Sequence, residues 1–206
     1  MQVRKKIEWE RIPLVTLALV FANILFFIGT EWTGSSLDTD HIIRMGAMYE
    51  PAIIEQQEYY RIITCCFLHF GLMHLTNNMI SLLVLGYSLE HTIGPARFGL
   101  IYFVSGIFSS LVSLGYHMYM GMNFVSCGAS GAIYGLFGAL LVLLVVNNRH
   151  DLRKRLPNFA IYMILILYAG RNSEVDNAAH IGGFAAGIVM CTVMCIIKRV
   201  MTERNG

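Results

Sequence analysis

Long apolar runs separated by short polar punctuation make up most of this chain. They cover about residues 12–29, 72–89, 98–117, 130–147, 157–169 and 178–197. An α-helix needs roughly 17–25 residues to cross the hydrocarbon core of a bilayer, and all but one of the runs reach that length. The pattern predicts an all-α fold, a polytopic membrane bundle of six transmembrane helices in one domain over residues 1–206. The fifth run, Pro157 to Ala169, is short. Pro157 suits a first helical turn, and Arg155 and Arg171 are placed to snorkel. The first run follows Arg4, Lys5, Lys6 and Arg11. It is too long for a typical signal-peptide core and no A-x-A-like site follows it, so it reads as a retained helix. The stretch of about residues 30–61 is polar and acidic and carries Trp32, Tyr49, Tyr59 and Tyr60, aromatic residues suited to headgroup level. A connection of that length has internal structure or a task, and here it reads as an interfacial loop.

Composition agrees. Hydrophobic residues make up 56% and charged residues 14%, against about 25% charged in a soluble domain. Mean hydropathy is +0.59 and net charge +2. These values exclude a disordered chain, a nucleic-acid-binding arm and an ordinary soluble enzyme. Six crossings with the N-terminus inside put twelve Lys and Arg residues in inner segments, against Arg44, Arg61 and Arg171 outside. That positive-inside bias predicts a multi-pass protein of the cell (inner) membrane with both termini cytoplasmic. Cys65, Cys66, Cys127, Cys191 and Cys195 form no zinc or disulfide framework and read as small buried filler.

Polar groups inside a span are costly and usually functional. Ser130 opens the fourth run, His180 lies about three residues into the sixth, and His74 and Asn78 sit one helical turn apart in the second. In this topology all four fall within roughly 10 Å of the outer helix ends. Gly131 and Gly135 are four apart, as are Gly183 and Gly187, a spacing that lets two helix backbones approach closely. Ser130 and His180 would then come within hydrogen-bonding reach, with His180 as the base that a serine hydroxyl needs. Asp176 falls in the preceding loop, so the expectation is a dyad and not a triad. Tyr134, one turn below Ser130, would pack against the imidazole. The oxyanion would be met by the Ser130 backbone N–H and by the His74 and Asn78 side chains, and Gly128 would leave room for the scissile backbone. Taken singly, Ser130 reads as a helix cap, His180 as one interhelical hydrogen bond and Asn78 as packing glue. Their conjunction at one depth reverses those readings.

Other membrane protease chemistries do not fit. There is no HExxH, and His69 and His74, five apart, would lie on different helical faces. No aspartate lies inside a predicted span, which excludes a paired-aspartate mechanism. His41, His91, His117 and His150 fall in loops or at helix ends and are expected to be solvated or interfacial.

At these residues the chain resembles the rhomboid intramembrane serine proteases, of the compact six-helix bacterial type. The family's GxSG motif is Gly128-Ala129-Ser130-Gly131, and its AHxxGxxxG motif is Ala179-His180 with Gly183 and Gly187. The signature of two histidines and an asparagine is read in the segment from His69 to Asn78. By this resemblance Ser130 and His180 are catalytic, and His74 and Asn78 help bind the oxyanion. Tyr134 matches the tyrosine that stacks on the catalytic histidine, and Glu90 an acidic residue that ties helices together near the inner end of the second helix. A Trp-Arg pair common in the family is Tyr60-Arg61 here. Inactive relatives usually lack the serine or the histidine, and both are present. The ends leave no room for a soluble domain or a seventh helix.

The resemblance implies a serine endopeptidase that hydrolyses peptide bonds in or next to transmembrane segments of membrane proteins. Its active site would face the outer side. Its partners would be transmembrane protein substrates and membrane lipid, with no nucleic acid, metal or cofactor. Substrate would enter laterally from lipid past a moving fifth segment and carry a small side chain before the cut. The alternative is a non-catalytic membrane protein that binds transmembrane segments (an inactive rhomboid-like protein) or a small transporter. The shallow, one-sided polar cluster and the lack of a visible repeat count against the transporter.

Overall fold

With no water in the bilayer core to satisfy backbone N–H and C=O groups, an apolar run there folds as a helix. A computed structural model describes residues 12–147, 157, 159–161 and 175–204 of the chain. The long helices are α1 (Leu14–Thr33), α5 (Gly71–Ile93), α6 (Pro95–Met120), α7 (Ser130–Asn147) and α8 (Asn177–Arg204). Between α1 and α5 run α2 (Thr39–Arg44), strand β1 (Met48–Tyr49), α3 (Glu50–Ile54), α4 (Arg61–Thr64) and a 3-10 turn at Cys65–Phe67. A second two-residue strand, β2 (Val125–Ser126), precedes α7.

The described residues form a largely α-helical polytopic membrane bundle. Three of its helices, α1, α6 and α8, are long and apolar enough to span a bilayer. Arg61–Phe67 and α5, bent by 90° at the break between them, make a fourth candidate. The apolar part of α7 is shorter. It lies at the centre, packed by α5, α6 and α8, with Ile133, Leu136, Phe137 and Ala139 at 0–1% exposure. Most of the expected fifth run, about 157–169, lies outside the described residues. Residues 157 and 159–161 are helical, and the Phe159 ring stands 6.0 Å from that of Phe137.

The helices outrun their apolar stretches. α1 continues through Glu31 and Trp32, and α8 through Lys198 and Arg199 to Arg204. Apolarity marks what faces lipid, whereas backbone hydrogen bonding continues into the polar flank. Gly121, at φ +63°, closes α6 in the left-handed region, where glycine carries no Cβ penalty, and its N–H reaches back to the last turn.

Residues 30–61 are folded over the end of the bundle that carries Ser130 and His180. Arg61 is 5% exposed; its Nη1 donates to the Ile43 and Ala47 carbonyls at 2.6 and 2.9 Å and its Nε to Glu58 Oε2 at 2.6 Å. One guanidinium therefore satisfies backbone acceptors 18 and 14 residues away. His41, expected at a solvated position, is buried at 5% exposure. Its Nε2 lies 3.0 Å from the Thr30 carbonyl, so the ring caps the end of α1.

At the opposite end of the bundle, Glu90 ties α5 to α1. Its carboxylate accepts the Val15 N–H at 3.0 Å, the Thr16 N–H at 2.8 Å and the Thr16 hydroxyl at 2.7 Å. Amides in the first turn of a helix lack intrahelical partners and carry the positive end of its dipole, so a carboxylate suits them twice over. Glu90→Ala strands these buried donors and is expected to cost about 2–4 kcal/mol. Thermal unfolding in detergent measures this, with Glu90→Gln recovering part of the loss. An unchanged melting temperature would show that water replaces the carboxylate there.

Candidate active site

Ser130 is the first residue of α7 and His180 the fourth of α8. His180 Nε2 and Ser130 Oγ are 3.0 Å apart, a hydrogen bond that joins positions 50 residues distant in sequence. The imidazole lies flat on the Tyr134 ring, with centroids 4.1 Å apart and planes 11° from parallel. His180 Nδ1 has no partner among the described residues.

Glycine sets this separation. A Cβ built on Gly183 would fall on the Gly131 carbonyl oxygen, and one on Gly187 on the Gly135 carbonyl oxygen. Cβ atoms at Gly131 and Gly135 would meet the side chains of Ser109 and Ser105 of α6. The central helix thus meets α8 backbone to backbone and α6 through small serine side chains, and Ser130 and His180 ride on the contact with α8.

The turn before Ser130 is held separately. Gly128 has φ +138°, a conformation that favours glycine, and its N–H donates to the Cys65 carbonyl at 2.9 Å. A Cβ there would also stand 2.9 Å from His74 Cε1 and Nε2. The missing side chain therefore keeps a gap between this backbone and the His74 ring. The Ala129 N–H points to His69 Nε2 at 3.5 Å. β2 pairs antiparallel with β1, Met48 opposite Ser126, and stitches the turn to the 30–61 region. Asn78 is 7% exposed and its Nδ2 has no partner among the described residues, a donor available to a developing negative charge.

The expectation that His69 and His74 occupy different faces of one helix is corrected. His69 precedes α5, whose first residue is Gly71, and its ring meets His74 edge-on at 5.1 Å. The helix starts where the apolar pattern places it, and the extended Leu68 keeps His69 outside it. His117, expected to be solvated, is 6% exposed and stacked on Phe124. His91 is exposed, and His150 lies outside the described residues. Cys65 and Cys191 are buried, and Cys66, Cys127 and Cys195 are partly so. Burial pushes the Cys127 thiol well above the ordinary thiol range, so this neighbour of the site stays neutral and offers no competing thiolate. Glu90 stands apart, at the far end of α5 from His74, and Arg61 opens the short helix α4 before α5.

Such a layout suits acyl transfer. A hydroxyl is paired with a base, the base is held by an aromatic face, and buried donors flank the nucleophile. The rhomboid domain family matches residues 56–197 of the chain. Rhomboid protease GluP of Bacillus subtilis is 35% identical over 90% of this chain and 36% of its own length. RHOMBOID-like protein 5 of Arabidopsis thaliana is 39% identical over 79% of this chain and 52% of its own. A putative rhomboid protease of B. subtilis, YdcA, is 32% identical over 69% of this chain and 70% of its own. The chain thus spans about a third of GluP and half of the Arabidopsis protein.

Proposed function

The chain belongs to the rhomboid family, and from that membership we propose that it is an intramembrane serine endopeptidase working through a Ser130–His180 dyad. Its substrates are membrane proteins, cut in or next to a transmembrane segment. The observation that carries this is the 3.0 Å contact between Ser130 Oγ and His180 Nε2, made across two helices in backbone contact.

In the acylation step His180 Nε2 takes the hydroxyl proton as Ser130 Oγ attacks the scissile carbonyl. The negative oxygen that forms is met by the Ser130 N–H, by His74 and by Asn78 Nδ2. His180 then returns the proton to the leaving amine, and an acyl group remains on Ser130. Water, deprotonated by the same imidazole, hydrolyses that ester. Tyr134 fixes the ring plane throughout, which a dyad needs because His180 Nδ1 has no hydrogen-bond partner among the described residues. The substrate must present a locally unwound backbone, since helical carbonyls are hidden. Gly128 leaves space beside the nucleophile for that strand.

The reading also includes six crossings, with the fifth at about 157–169 beside the site as the route for substrate. It places both termini in the cytoplasm and the dyad near the outer face of the cell membrane, supported by the twelve-to-three distribution of basic residues.

Labelling tests the chemistry without a known substrate. A fluorophosphonate probe is expected to modify the purified chain at Ser130, and His180→Ala to abolish the labelling while the melting temperature holds. Equal labelling of the wild type and His180→Ala, or none at Ser130, would overturn the dyad.

A further inference from the structure

A second polar cluster lies behind the dyad. Ser113 and His117 stand one turn apart on α6 and both lie against Asp176, which precedes α8. The Ser113 hydroxyl donates to Asp176 Oδ2, and His117 Nε2 lies 3.6 Å from Oδ1, beside the carboxylate but beyond hydrogen-bond distance. The same Oδ1 accepts the Ala179 N–H at 3.0 Å, and the Asp176 carbonyl accepts the His180 N–H at 3.1 Å. Asp176 therefore holds the backbone of the catalytic histidine and its neighbour at one end, and a different helix at the other. All three side chains are buried: Ser113 at 0%, His117 at 6% and Asp176 at 8% exposure.

His117 extends the link to the nucleophile. Its ring stacks on Phe124, with centroids 4.2 Å apart and planes 9° from parallel. Phe124 enters the β2 turn that leads through Gly128 to Ser130. Both halves of the dyad are thus moored to the same turn of α6.

A neutral serine or asparagine would cap α8 at lower desolvation cost than a buried carboxylate. Capping uses one carboxylate oxygen, whereas here Oδ1 takes the Ala179 N–H and Oδ2 takes the Ser113 hydroxyl of another helix. The geometry of His180 shows what the grip is for. Nδ1 lacks a partner among the described residues, and the Tyr134 stack sets the plane of the ring but leaves it free to slide within that plane. The position of the α8 backbone must do the rest. We propose that Asp176, held by the Ser113 hydroxyl and packed beside His117, is a positioning residue for peptide hydrolysis, setting the depth and rotation of the first turn of α8 so that His180 Nε2 meets Ser130.

This role rests on the proposed protease activity, and the test separates the two. The full chain, purified in detergent, is assayed on a fluorescent single-span reporter beside Ser130→Ala. Asp176→Ala is expected to lower kcat about tenfold or more, since misplacement of a catalytic group by a fraction of an ångström carries such costs, with KM within about twofold. Asp176→Asn keeps an acceptor for the Ala179 N–H and a partner for Ser113, and is expected to restore most of kcat. Wild-type kcat in Asp176→Ala, a loss lying in KM, or no rescue by Asp176→Asn would overturn the proposal. Should Asp176→Ala fail to fold, Ser113→Ala, which removes a single hydroxyl, is expected to lower kcat about threefold at unchanged KM. Wild-type kcat there would overturn it equally. If the wild type does not cleave, the protease reading fails first and the positioning role falls with it.

Discussion

Ser130→Ala is expected to eliminate cleavage of a single-span reporter, lowering kcat/KM by about 10⁴-fold or more. At 1.36 kcal/mol per factor of ten, that corresponds to roughly 5 kcal/mol of lost transition-state stabilisation. The size follows from the chemistry. Among the described residues no other side chain hydrogen-bonds to His180 Nε2, so none of them stands ready as a substitute nucleophile. His180→Ala is expected to cost about as much, because nucleophile and base act as a unit and removing either disables both. Folding should survive, since the lost oxygen makes one partly buried hydrogen bond worth about 1 kcal/mol. The readout pairs initial cleavage rates with a melting curve. Cleavage by Ser130→Ala at the wild-type rate would remove the catalytic assignment.

The second large effect is structural. Gly183→Val is expected to destabilise the bundle by about 3 kcal/mol or more, at the upper end for overpacked cores. The added Cβ would fall on the Gly131 carbonyl oxygen and lie 2.8 Å from its carbonyl carbon and 3.3 Å from its Cα. These are backbone atoms of the buried central helix and cannot rotate aside as a side chain would. Relief requires α7 and α8 to separate, and His180 stands one turn from Gly183. Activity should therefore fall together with stability, by about 100-fold for a displacement near 1 Å. Gly115→Ala on α6 serves as the control. A Cβ there meets nothing within 4 Å, so helix propensity alone predicts a neutral or slightly stabilised protein. A Gly183→Val protein with wild-type melting temperature and cleavage would show that the helices are not in contact.

Much of this arrangement is legible without coordinates, for identifiable reasons. Apolar run length announces helices because a bilayer tolerates no other open-chain solution. The shared depth of Ser130, His180, His74 and Asn78 can be counted from the helix ends, because rise per residue is constant. The glycine spacings on α7 and α8 announce close approach. Other parts carried no such signal. Burial of His117 depends on Phe124 and Asp176, which come from other segments, so its place near a helix end pointed wrongly to solvent. His41 was misread for the same reason, its partner being a carbonyl at the end of α1. The two-residue pairing of Met48 with Ser126 is too short to leave an alternating pattern. The edge-on meeting of His69 with His74 leaves no mark in the sequence, because it depends on how the chain turns before Gly71.

The residues alone decide that this chain lives in a membrane and which side chains are candidates for the chemistry, because hydrophobic transfer and helical rise are local, additive properties. How near the hydroxyl comes to the imidazole, what braces the base, and how the 30–61 region closes over the helix ends belong to the folded chain. Each depends on atoms brought together from far along the sequence, and a separation of 3.0 Å is the sum of many such contacts.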